Sequence, residues 1–160
     1  MAFTGNYMAT SFKVEILQAI HQFGSATISS RGSLTAPTSD TFRIALYTSA
    51  ATLDASTTAY SATNEVANSG TYTANTSTQD LTISTSPTFG GSGTTSYLSF
   101  ADKSFTSATI TARGALIYNS TQSNRAVVVL DFGSDKTSTA GTFTIQFPTA
   151  NNTSAIIRIA

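Results

Sequence analysis

The chain has 160 residues, only 10% of them charged, with 8 Lys+Arg against 8 Asp+Glu and no cysteine. That length suits one domain with a continuous core. The even charge lacks the basic excess with which proteins neutralise nucleic-acid phosphates, and the missing thiols exclude a disulfide framework or a Cys-based metal site. Hydroxyls stand where charge would be expected, with 30 Thr and 23 Ser. Thr is β-branched and suits a pleated, half-exposed surface. Its hydroxyl keeps that surface polar without the desolvation cost of a charge. Such a surface suits a protein that lies close against its neighbours, although a monomeric secreted β-domain has the same composition. Disorder combines low hydrophobicity with high net charge, and a chain that is 40% apolar and formally neutral has neither.

Met1 to Met8 has no basic and apolar halves of a signal peptide, and no apolar run approaches the ~20 residues of a membrane helix. The expectation is a protein made in the cytosol, with no secretory route and no membrane partner. Ser11 to Phe23 then carries the clearest helical signal. Phe12, Ile16, Ile20 and Phe23 recur at spacings of four, four and three, with Leu17 widening the stripe. Thr10 or Ser11 is placed to cap its start and Gly24 to end it. From Gly24 to Asp40 periodicity vanishes in a Ser-, Thr- and Gly-rich stretch with Pro37, which reads as a long loop or arm.

Strands follow. Thr41 to Thr48 alternates, with Phe42, Ile44 and Leu46 on one face and Arg43, Ala45 and Tyr47 on the other. Thr71 to Thr73 reads as a weak strand, Leu81 and Ile83 as another ending near Pro87, and Gly90 to Gly93 as a turn. Tyr97 to Phe100, Ala108 to Ala112, Gly114 to Tyr118, Ala126 to Phe132, Gly141 to Phe147 and Ala155 to Ile159 complete the series. Val127 to Leu130 is continuously apolar, as in a strand covered on both faces. The pattern predicts a mainly β chain: an antiparallel β-sandwich or jelly-roll-like domain over 41–160, preceded by one N-terminal helix and extended arm over 1–40.

Chemistry-bearing residues are sparse. His21 is the single histidine, so neither a His-based metal site nor a relay at fixed spacing can be assembled around it. No Gly-x-Ser-x-Gly elbow surrounds any serine, and a helix-flank or interface role is expected for His21. Asp131 and Asp135 bracket a turn that lacks the ligand order of a calcium loop. Asp131-Phe132-Gly133 spells a kinase tripeptide without the loops that give it meaning. Glycosylation acceptor patterns at Asn75, Asn119, Asn151 and Asn152 carry no weight without a signal peptide. No enzyme activity, cofactor or metal is expected.

Several strings do resemble a known group. Met1-Ala2-Phe3-Thr4-Gly5-Asn6-Tyr7-Met8 leading into Thr10 to Glu15, and Phe42 to Leu53 followed by Asn64-Glu65-Val66, resemble small virion proteins of tailed phages, including marine and cyanobacterial phages. Thr109 to Tyr118 and Ala126 to Gly133 resemble that group's core strands. The resemblance covers most of the chain, while Gly24 to Asp40 departs from it as a longer link. It implies a structural role in the virion and carries over no catalytic residue. The expectation is a capsid decoration (cement) protein, self-associating as a trimer over junctions of the major capsid protein. Phe12, Ile16, Ile20 and Phe23 are the candidate assembly contacts. The alternative is a fibre or tail component, including a receptor-recognition module presenting Tyr60, Tyr72 and Tyr97; an esterase or lyase acting on host polysaccharide comes third.

Overall fold

A computed structural model describes residues 5–24, 38–89 and 94–160. Most of the arm expected over Gly24 to Asp40, and the turn at Gly90 to Gly93, lie outside the described residues. In chain order the elements are β1 (Tyr7–Met8), α1 (Thr10–Leu17), β2 (Phe42–Tyr47), a 3-10 turn (Ser77–Gln79), β3 (Ile83–Phe89), β4 (Ser96–Phe100), β5 (Lys103–Asn119), β6 (Arg125–Ile145) and β7 (Ile157–Ile159). The fold is mainly β, as the alternation predicts: the described residues form two antiparallel sheets, ordered β1-β6-β5-β2 and β3-β4-β7, and one helix.

Fewer and longer strands form than the turn signals suggest. Ala108 to Ala112 and Gly114 to Tyr118 belong to the single 17-residue β5, and Ala126 to Phe132 and Gly141 to Ile145 to the 21-residue β6. The expected turn at Asp131 to Lys136 is a bulge within β6. Gly114 pairs with Asp131 and Ala112 with Lys136, so the four residues Phe132 to Asp135 stand opposite Arg113 alone, an excess of three on one strand. Gly133 at φ +78° takes the left-handed backbone that the bulge needs, and the Asp131 carboxylate closes it by accepting from the Gly133 amide at 2.8 Å. Thr71 to Thr73 makes no strand, only a bridge between Ser69 and Tyr72.

Both faces of the first sheet are covered at its centre. β2 runs against β5 from Phe42 opposite Asn119 to Tyr47 opposite Gly114. Phe42, Ile44 and Leu46 on one face, and Ala45 and Tyr47 on the other, are all buried. The outward set is covered by the loop that follows, where the Tyr47 hydroxyl donates to the Ser61 carbonyl at 2.6 Å. Val127, Val128 and Val129 are buried, as their unbroken apolar run predicts. A row of rings ties the second sheet to the first. Phe23 stacks on Phe42 with centroids 4.3 Å apart, Phe42 lies 5.9 Å from Phe100, and Phe100 lies 5.9 Å from Phe147. Pro87, which cannot donate to a ladder, lies on β3, an edge strand of its sheet.

The helix is shorter than its stripe. It ends at Leu17, and Gly24 plays no part in ending it. Ala19 turns left-handed at φ +56°, its amide donating to Ile16 O at 3.0 Å while the Ile20 amide donates to Glu15 O at 3.0 Å. Those two bonds are the Schellman arrangement, with alanine where glycine is usual. Neither Thr10 nor Ser11 caps the start. Ala9 occupies that position without a side-chain bond, the Thr10 amide donates instead to Ala55 O at 2.9 Å, and the Ser11 hydroxyl is buried without a partner.

The change of character at Asp40 does not coincide with a break in the core. Ala9, Phe12 and Phe23 are buried in the same cluster as Ile44, Leu116 and Val129. Residues 5–24 and the strands therefore share one core, because β1 joins the sheet beside β6 and α1 packs against β6. The Ala19 geometry yields a prediction. A left-handed backbone costs a non-glycine residue about 1–2 kcal/mol, so Ala19→Gly should raise stability by about 1 kcal/mol despite glycine's chain entropy. Urea unfolding that shows a loss would contradict the Schellman ending.

Candidate functional site

Three places collect functional groups: two polar clusters inside the fold and one groove on its surface. The first cluster forms around the end of α1. Glu15 is buried, with 5% of its surface exposed, and a buried carboxylate needs partners. It has two: Arg125 at 2.5 Å from Oε1 and His21 Nε2 at 2.6 Å from Oε2. Asn119 then joins His21 to the chain entering β2. Its amide nitrogen lies 3.0 Å from His21 Nδ1 and donates to Asp40 Oδ2 at 2.7 Å. Its carbonyl oxygen accepts from the Thr121 and Gln122 amides, both at 3.1 Å. The Asn119 side chain is thus fully satisfied in one orientation only, which makes His21 Nδ1 an acceptor and puts the ring proton on Nε2, facing Glu15. Phe12 packs edge-on to His21 with centroids 4.8 Å apart. His21 is therefore a bridge between helix and hairpin, in line with the expected helix-flank role.

The second cluster lies under the loop between β2 and β3. The Tyr60 hydroxyl donates to Glu65 Oε2 and the Tyr72 hydroxyl to Oε1, both at 2.6 Å, and Gln79 Nε2 adds a third bond at 2.8 Å. Tyr72 also accepts from the Leu46 amide at 2.9 Å, which ties the loop to β2. Tyr60 stacks on Tyr118 with centroids 4.8 Å apart. Burial raises the phenols of Tyr47, Tyr60 and Tyr72 above the ordinary value, and the Glu65 carboxylate reinforces the rise in each. Burial pushes Tyr118 up to about 12, against the opposing pull of the Arg43 guanidinium. Neutral phenols donating to one carboxylate make a structural clasp, not an acid–base pair open to a substrate.

The groove is an extended concavity with an apolar floor. A hollow of about 510 Å³ between β6 and the β7 side is lined by Tyr7, Met8, Leu130, Phe132, Phe147 and Ile156, among others. It continues past Met8 and Arg158 into a second hollow of about 500 Å³, bounded by Lys13, Ile16, Leu17 and Ile159. Val14, Leu17 and Ile159 are the exposed large apolar side chains among the described residues. Among the described residues no group of three or more His, Asp or Glu could hold a metal ion, and no helix is long and apolar enough to cross a membrane.

The four residues expected as assembly contacts separate in the structure. Phe12 is fully buried, Phe23 is nearly so and stacks on Phe42, and Ile16 and Ile20 are half-buried. Phe12 and Phe23 therefore face the core and not a neighbour. The outward apolar residues of α1 are Val14, which the stripe leaves out, and Leu17, which was counted as widening it. The tyrosines expected on a recognition surface are divided too: Tyr72 is fully buried, and the hydroxyl of Tyr60 is held by Glu65. The cluster of Glu15, Asn119 and Arg125 escaped the sequence reading, which named Asn119 only as a glycosylation pattern, since no spacing relates residues brought together by a hairpin and a helix end.

Asn119→Ala would leave Asp40, His21 Nδ1 and two backbone amides short of partners, so unfolding in urea should show a loss of about 2–4 kcal/mol. A loss under half a kilocalorie would mean that water replaces the amide freely. The raised phenols give a pH dependence. Their contribution is complete below the ordinary phenol value of about 10 and is lost as pH rises towards the folded values, so stability should decline in alkali. Ultraviolet titration should show that Tyr72→Phe removes a phenol that ionises only as the fold opens; loss of one that titrates normally would contradict the assignment.

No protein-family model, no curated protein and no solved structure matches the chain.

Proposed function

We propose that the chain is a non-catalytic structural protein of a tailed-phage virion, acting as a capsid decoration protein. The single observation that carries an assembly role is the distribution of side chains. The Glu15 and Glu65 carboxylates and the Tyr60 and Tyr72 phenols are drawn into clasps within the fold, while Val14, Leu17 and Ile159, at 54%, 88% and 50% exposure, leave apolar side chains outward on α1 and β7. Exposed apolar side chains gathered beside a groove suit a docking surface. The virion assignment rests on the resemblance of the terminal, β2 and β5–β6 strings to small tailed-phage structural proteins.

In this role copies associate with one another, as a trimer, over junctions of the major capsid protein. The outer face of the β5–β6 hairpin suits lateral contact. Ser104 and Thr144 hydroxyls lie 2.8 Å apart and those of Thr111 and Thr137 3.3 Å apart across the ladder, a polar surface that copies can pack without burying charge. Each copy needs only a modest contact, because many copies engaged at once stabilise a shell by avidity. A fibre or tail component is the second reading, with the same patch as its attachment point.

Quantitative mass spectrometry of purified virions tests the proposal. Hundreds of copies per particle are expected, with antibody label over the head in negative stain. A dozen or fewer would shift the assignment to fibre or tail, and absence from virions would overturn it. Raising the salt concentration should release few copies, since screening acts on exposed charges and this surface has few.

A further inference from the structure

The groove between α1 and β7 combines two features. Its floor is apolar, with Met8, Ile16, Leu17 and Ile159 lining it, and its rim carries Lys13 and Arg158 with no acidic side chain; the Asp131 that lines the adjoining hollow is held by Arg113. These two cations differ from most others in the chain. Arg43, Arg113 and Arg125 are paired with Asp80, Asp131 and Glu15, and Lys103 donates to the Asp80 carbonyl. Lys13 and Arg158 enter no ion pair among the described residues; Arg158 donates from one nitrogen to the Asn152 carbonyl at 3.1 Å. In a chain with no net charge, this is a locally positive, apolar channel.

We propose that this groove docks an acidic segment of a different protein, one whose apolar side chains alternate with carboxylates. The inference rests on the assembly reading above and specifies the chemistry of the docked partner. A second copy is a poor occupant. An isologous contact would set Lys13 and Arg158 of one copy against the same residues of the other, and like charges brought together at an interface are strongly disfavoured. Most carboxylates of such a copy are also engaged: Glu15, Asp80 and Asp131 in ion pairs, Glu65 and Asp40 in hydrogen-bonded clusters. An acidic segment from elsewhere meets neither obstacle. β7 is the outer strand of the order β3-β4-β7, so an extended segment in the groove can add to it through backbone hydrogen bonds, with side-chain contacts to Leu17 and Ile159 supplying selectivity.

The test pans the immobilised full chain against a random-peptide display library. Recovered peptides should carry more Asp and Glu than Lys and Arg, interleaved with apolar residues. Their synthetic forms should bind about tenfold or more weakly to Leu17→Asp and to the double change Lys13→Glu with Arg158→Glu, a loss of at least about 1.4 kcal/mol. All three side chains are exposed, so the variants should melt like the parent; if Leu17→Asp does not, Ile159→Asp takes its place, since Ile159 also lines the groove. Neutral or basic peptides, no recovered peptide, or binding indifferent to these changes would overturn the proposal. So would a dimer in light scattering that Leu17→Asp dissolves, which would give the groove to a second copy. Failure here is separable from failure of the virion reading, which is decided by whether purified particles contain the chain.

Discussion

The buried carboxylate of Glu15 is the constraint on which the rest of the arrangement depends. A charge with 5% exposure is tolerated only when paired and hydrogen-bonded. Its partners come from opposite directions in the chain: Arg125 from the start of β6, and His21 from the segment leaving α1. The helix must therefore stop early enough for His21 to fold back over its own last turn, and the Schellman ending at Ala19 achieves that reversal. Asn119 extends the clasp to Asp40, fixing where the chain enters β2. Asn119 and Arg125 are also the facing pair that closes the β5–β6 hairpin. Helix end, hairpin end and the start of β2 meet at one set of hydrogen bonds.

From that fixed end the hairpin extends as the scaffold of the first sheet. β2 lies along one side of it and the two residues of β1 along the other. The Glu65 cluster repeats the same device under the loop after β2, where a single carboxylate gathers Tyr60, Tyr72 and Gln79 and so orders a long stretch with little regular structure. Such loops are uncommon unless something holds them; here a polar clasp and the buried ring of Tyr72 do so. The aromatic row from Phe23 to Phe147 then joins the second sheet to the first, each ring pair adding about 0.5–1.5 kcal/mol beyond its buried area.

This inward use of charge shapes what the surface has left to work with. The hairpin presents hydroxyls across its outer ladder, and the α1–β7 side presents apolar side chains flanked by two cations. These are different kinds of contact. Hydroxyl faces suit close lateral packing of like copies, whereas an apolar groove with a positive rim selects one chemistry of partner.

What the sequence by itself determined was the β class, the single helix, and the strands whose periodicity comes from burial. Phe42, Ile44 and Leu46 alternate because one side of β2 packs inward, and Val127 to Val129 run unbroken because both sides of β6 do. Burial leaves a periodic trace, so it can be read along the chain. The tertiary structure alone decided where the helix stops, which of its apolar residues face out, and that Asp131 to Lys136 is a bulge and not a turn. Each of those depends on partners distant in sequence: Glu15 on Arg125, His21 on Asn119, Asp131 on Arg113. Phe12, Ile16, Ile20 and Phe23 looked like one stripe only on the assumption that the helix continued to Phe23. Once Ala19 reverses the chain, Ile20 and Phe23 leave the helical frame, and Leu17, marginal in that stripe, becomes the most exposed large apolar side chain among the described residues. Hydrogen-bonded clasps between distant residues follow no spacing rule, because their geometry exists only after the elements have packed.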